Sequence, residues 1–246
     1  MDQKLNVFGI NFFQGNYKQC ISQIYKGAFM IVPSAPSLVL IEHDKGYHNS
    51  LKNSDFAILD SGLLSLLLKI TTKVKIKKFS GFEFLQNLLN DARMKEPNVL
   101  FMVDPSKVDS TKNHKLLVEK GFKISKKNHY VAPIYSLELR DNKLLDEIEE
   151  KRPKVIMINL GGGVQEKLGF FLKSNLTYNP GIICTGAAIS FFTGRQASIS
   201  KAIDKLYLGW FWRCLDEPKT FIPRYLSGFK LIPIYFKYLL AKKNRK

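Results

Sequence analysis

Val155-Ile-Met-Ile-Asn-Leu-Gly-Gly-Gly-Val-Gln-Glu166 is a run of apolar, largely β-branched residues that stops at three glycines, with two polar side chains close behind. Apolar run, glycine turn and polar pair together predict a buried strand ending at a ligand site. Glycine lets a backbone approach a ligand closely and accepts positive φ without a steric penalty. A helix beginning near Gln165 would aim its free N–H groups at an anion held over the turn. The same residues also suit a tight strand-to-helix turn with no ligand. No GxGxxG spacing is present, and no Lys-Ser/Thr follows the glycines, so neither a dinucleotide fingerprint nor a Walker loop is indicated.

Outward from this segment, strand-like and helix-like stretches alternate from residue 4 to residue 195. Strands are expected at Lys4–Ile10, Phe29–Pro33, Phe56–Leu59, Asn98–Val103, Val155–Leu160 and Ile182–Thr185, with weaker signals at Phe122–Ile124 and His129–Ala132. Helices are expected at Tyr17–Lys26, after Pro36, and at Leu63–Ile70, Gly81–Arg93, Ser110–Lys120 and Leu144–Glu150. Single helices between strands imply an α/β fold with a mostly parallel, Rossmann-like sheet and helices on both faces. Ligands of such sheets sit beyond the carboxyl ends of the strands. Asp60, Asp104, Gly161–Gln165 and Gly186 all fall there.

With 246 residues the chain can bury one substantial core, and the expected division is an α/β core over 1–195 with a basic appendage over 196–246. Its charge is unusual: 38 Lys and Arg stand against 21 acidic residues, a net +17. Such a field favours an anionic partner such as nucleic acid, a membrane surface or a phosphorylated substrate. Cys20, Cys184 and Cys214 are too scattered for a disulfide framework. His43, His48, His114 and His129 have no ligand spacing, so no structural metal or cofactor is expected. No stretch is apolar enough to span a bilayer.

Beyond Arg195 the only acidic residues are Asp204, Asp216 and Glu217, among many basic and aromatic ones. A helix over Ile199–Cys214 would place Lys201 and Lys205 beside Leu208 and Trp212. Phe229–Leu240 is apolar and aromatic, punctuated by Lys230, Pro233 and Lys237. Both patterns suit an anionic membrane interface, and the second also suits an ordinary terminal helix docked on the core.

Three segments in order resemble the WecG/TagA/CpsF glycosyltransferases. Ala57-Ile-Leu-Asp-Ser-Gly62 is similar to their "aDG" segment, Asn159-Leu-Gly-Gly-Gly-Val-Gln-Glu166 to "GLGxPxQE", and Cys184-Thr-Gly-Ala-Ala-Ile-Ser-Phe-Phe-Thr-Gly194 to "GVGxxFDxxxG". Leu208–Arg213 and Glu217–Tyr225 echo the family's tail, "LEWxxRLxxEPxRxxRRY". The resemblance covers about residues 5–228. It implies an inverting, metal-independent transferase that moves a hexose or N-acetylhexosamine, N-acetylmannosamine-like, from a UDP-sugar. The implied acceptor is an undecaprenyl-diphosphate-linked sugar at the inner face of the cell membrane. By resemblance, Asp60 is the general base, Gln165 contacts donor or acceptor, and Arg213 and Arg224 hold the diphosphate. Ser34, Gly161, Gly162, Gly163, Glu166 and Gly186 complete the implied substrate site.

That chemistry is coherent. Inverting transfer needs a base opposite the leaving group, and the departing diphosphate needs cations or N–H donors. Arginine's planar fork suits phosphate oxygens. The chain also departs from the family pattern. Val32-Pro-Ser34 replaces "TPN", with Ser34 in place of the asparagine. Gly163 replaces the motif proline, Ser190 the aspartate, and Thr220 an arginine. Two other classes also fit parts of the sequence: a basic nucleic-acid-binding module, supported by charge alone, and a non-catalytic scaffold for polysaccharide assembly. No nucleic-acid-binding motif is visible, so nucleic acid is not an expected partner. A homo-oligomer is compatible with the chain.

Overall fold

The computed structural model describes residues 5–72, 79–136, 139–193, 215 and 218–244. Among them β1 (Leu5–Val7), β2 (Ile10–Phe12), β3 (Phe29–Ile31), β4 (Phe56–Ala57), β5 (Leu100–Asp104), β6 (His129–Val131), β7 (Val155–Ile158) and β8 (Gly181–Cys184) form one sheet. The order is β1-β2-β4-β3-β8-β7-β5-β6, parallel throughout except for the β1–β2 hairpin.

Burial on both faces explains the apolar runs. Ile31, Val103, Ile158 and Cys184 join a cluster with α3 (Lys45–Lys52), α4 (Gly62–Thr71), α7 (Asn142–Lys151) and α8 (Val164–Asn175). Met30, Met102, Met157 and Ile183 point the other way, toward α1 (Tyr17–Tyr25), α5 (Gly81–Asn90) and α6 (Lys107–Glu119). The expected α/β class and two-faced helical cover are therefore found.

Two local expectations are corrected. Lys4–Ile10 is not one strand: Phe8 (φ 57°) and Gly9 (φ 81°) turn it into a hairpin. A phenylalanine at positive φ gives no sequence signal for a turn, and here tertiary contacts hold it, with Phe8 packed against Tyr235 and Tyr238. Phe122–Ile124 is not a strand; Phe122 instead bonds back to Leu117 and is buried beside α6.

From the tail, α9 (Pro218–Gly228) packs on the short α2 (Ala35–Leu38), with Gly228 close against Pro36. Behind it, α10 (Leu231–Lys243) buries Leu231, Ile234 and Tyr235 in the same cluster as the sheet. The expected helix over Ile199–Cys214 lies outside the described residues.

Candidate active site

Adjacent strands β5 and β7 send their crossovers to opposite faces, α6 to one and α8 to the other. A crevice opens at the carboxyl ends where helices diverge in this way, and ligands of doubly wound sheets bind there.

Asp60 lies at this edge, just past β4. The helix that follows it, α4, is capped by the next residue, since Leu64 N donates to Ser61 Oγ at 3.3 Å. Asp60 Oδ1 instead accepts from Gly81 N, the first residue of α5, at 3.0 Å. The dipole of α5 favours a negative charge at that position. A methyl group on Gly81 would come within 3.2 Å of Asp60 Oδ2 and 3.4 Å of Val32 Cγ1, so Asp60 lies beside the end of β3. Ser34, just beyond β3, caps α2 and exchanges hydrogen bonds with Ser37.

The glycine turn packs against α2. A Cβ on Gly162 would stand 2.9 Å from Ser37 Cβ, and Gly163 has φ 95°. Close approach dictates glycine at the first position and backbone conformation dictates it at the second. The helix N-terminus differs from the expected open anion site. Gly163 N donates to Glu166 Oε2 at 2.7 Å, and Val164 N and Gln165 N both reach Gly161 O. A carboxylate three residues into the helix has thus taken one of its own N–H groups. Gly161 and Gly162 remain exposed, their amides without a partner among the described residues.

Gln165 is buried and its side chain is committed internally. Its Oε1 accepts from Gly186 N at 2.7 Å and its Nε2 donates to Glu166 Oε1 at 3.0 Å. It therefore ties the start of α8 to the turn after β8, where Gly186 adopts φ 60°. Glu166 is completely buried, and desolvation raises its carboxyl above the ordinary value despite these donors. Arg224 is exposed on α9; Arg213 lies outside the described residues.

From the sequence, Asp104 falls at a strand end and the histidines have no ligand spacing. The structure joins them: Asp104 Oδ1 accepts from Asn113 Nδ2 (2.7 Å) and Asn159 Nδ2 (2.9 Å). Asp104 Oδ2 meets His129 Nδ1 at 3.0 Å, and His129 Nε2 meets His114 Nδ1 at 3.3 Å. Burial, then His129 and Lys126, lower the His114 imidazole below its usual value. The partners come from α6, β6 and the end of β7, and only strand register relates them.

Compared with known protein families, residues 5–245 match the glycosyl transferase WecG/TagA/CpsF family. The chain belongs to that family. It is a glycosyltransferase of cell-surface polysaccharide synthesis. In this transferase the segments that resembled family motifs meet along one edge of the sheet: Asp60 beside β3, the glycine turn against α2, and Gly186 bonded to Gln165. Among the described residues, no group of three His, Cys, Asp or Glu side chains could hold a metal ion.

Proposed function

We propose that the chain transfers a hexose or N-acetylhexosamine, N-acetylmannosamine-like, from a UDP-sugar to an undecaprenyl-diphosphate-linked sugar, with inversion. The acceptor hydroxyl attacks the anomeric carbon as the bond to the UDP β-phosphate oxygen breaks. Asp60 takes the hydroxyl proton. The diphosphate leaves with added negative charge, which the Gly161 and Gly162 amides, Arg213 and Arg224 stabilise. Gln165 and Glu166 position these amides and the Gly186 turn, and Ser34 closes the donor site from the side of β3.

The observation that carries this reading is the meeting of Asp60, the glycine turn and the Gly186 turn at one sheet edge in a chain of this family. Among the described residues no helix is long and apolar enough to cross a membrane. Attachment at the inner face of the cell membrane then falls to the aromatic and basic tail. There Ile222, Leu226, Phe229, Phe236 and Leu240 are exposed among lysines.

Asp60→Asn tests the base. Asparagine can still accept from Gly81 N, so fold and UDP binding should persist while turnover falls about 10²-fold or more. Near-normal UDP release with a lipid-diphosphate sugar acceptor would remove Asp60 from that role. A chain that binds donor but never turns over would instead be a scaffold. Arg213→Ala with Arg224→Ala should lose transfer and keep liposome binding.

A further inference from the structure

At the carboxyl ends of β5, β7 and β8, three polar side chains lie in one row across the sheet. The pairings Val103↔Ile158 and Ile158↔Cys184 put Asp104, Asn159 and Thr185 one step beyond, in register. Strand alternation turns them to the face of Met102, Met157 and Ile183. Asp104 is completely buried, accepts from Asn113 and Asn159, and lies 3.0 Å from His129 Nδ1. Asn159 spends its Nδ2 on Asp104 Oδ1 at 2.9 Å, which turns its amide oxygen away from the carboxyl group. Among the described residues that oxygen has no partner, in a residue only 4% exposed, and neither does Thr185 Oγ1, in a residue 8% exposed. Unpaired buried oxygens are costly and uncommon. Two on neighbouring strands, beside the place where the crossover helices diverge, point to a ligand.

We propose that Asn159 Oδ1 and Thr185 Oγ1 read the imide edge of a uracil base, Asn159 accepting from N3–H and Thr185 donating to the adjacent carbonyl. The inference rests on the UDP-sugar reading above. Neighbouring strands run about 4.8 Å apart, which places acceptor and hydroxyl side by side. A ring imide holds its N–H and C=O on one side and can meet both. The acetamido group of a sugar is a trans amide with N–H and C=O on opposite sides, and it can meet only one. The pair therefore selects the base rather than the sugar. Both oxygens are shielded from solvent, and reaching them takes side-chain adjustments of the kind common on binding. Asp104 acts one step back, as the positioning residue that fixes the Asn159 amide.

Calorimetric titration of the full chain with UDP and with N3-methyl-UDP tests this. UDP should bind at least about 10-fold more tightly, the scale of one well-made buried hydrogen bond. Asn159→Ala and Thr185→Val should each weaken UDP about 10-fold, and Asn159→Ala should abolish the preference over the methylated base. Equal affinity of the wild-type chain for the two nucleotides would overturn the proposal without any variant having to fold. An undiminished preference in a folded Asn159→Ala would do the same, leaving the pair to hold a water. UDP binding without N3 discrimination sinks this inference alone. Absence of UDP binding sinks the donor reading with it.

Discussion

Replacing Tyr235 should separate the two faces of α10. Tyr235 is fully buried in the main cluster, edge-on to Phe8, and its hydroxyl lies 2.6 Å from Thr71 Oγ1. Removing a buried aromatic ring costs about 3–5 kcal/mol, so Tyr235→Ala should lose that much in urea unfolding followed by circular dichroism. In a chain of this size the loss corresponds to about 10 °C in melting temperature. It also leaves Phe8 at positive φ without one of its two aromatic supports. Tyr235→Phe is the control. It removes only the hydroxyl, while Thr71 keeps its bond to Leu67 O, so the loss should be about 1 kcal/mol. On the opposite face, Phe236 and Leu240 are 46% and 65% exposed. Their double replacement by serine should change stability by less than about 1 kcal/mol yet weaken binding to anionic liposomes. If Tyr235→Ala unfolds within 1 kcal/mol of the wild-type chain, α10 is not part of the core. If the outer-face variant melts early and still binds liposomes, the assignment of the faces is reversed.

Three further outcomes follow from the site. Gly163→Ala forces a Cβ into φ 95° and to within 3.0 Å of Leu40 Cδ1; it should cost about 1–3 kcal/mol and reduce turnover, and a variant as stable as wild type would contradict the required conformation. Glu166, its carboxyl raised by burial, should make stability fall with pH. Its contribution to stability is full below its ordinary value of 4.5 and is lost as pH rises through its higher folded value. Glu166→Gln should therefore gain on wild type as pH is raised from 4 to 8 in paired unfolding curves, and a constant difference would contradict this. Transfer should persist in excess EDTA, since the sequence has no DxD and the described residues offer no metal cluster; abolition by EDTA with recovery in Mg²⁺ would require a different site.

Most of the sheet was legible because its strands are continuous apolar runs, and burial on two faces leaves no other pattern. Val155–Ile158 ending in glycines, with Glu166 three residues into the next helix, fixed strand, turn and helix locally. The positions of Asp60, the glycine turn and Gly186 were legible for the same reason, each lying just beyond the carboxyl end of a strand. What stayed hidden depends on contacts distant in sequence. The Phe8 turn exists because α10, more than two hundred residues later, packs an aromatic pair on it. The hydrogen-bond partners of Asp104 lie 9, 25 and 55 residues away, and only the parallel register of β5, β6 and β7 brings them to one side chain. That Ser61 rather than Asp60 caps α4, and that Asp60 meets Gly81 instead, likewise follows from where α5 docks. Local periodicity and turn chemistry set the elements, because they act within a few residues. Register and docking set the partners of the buried polar groups, because desolvation penalises an unpaired group wherever in the chain its partner lies.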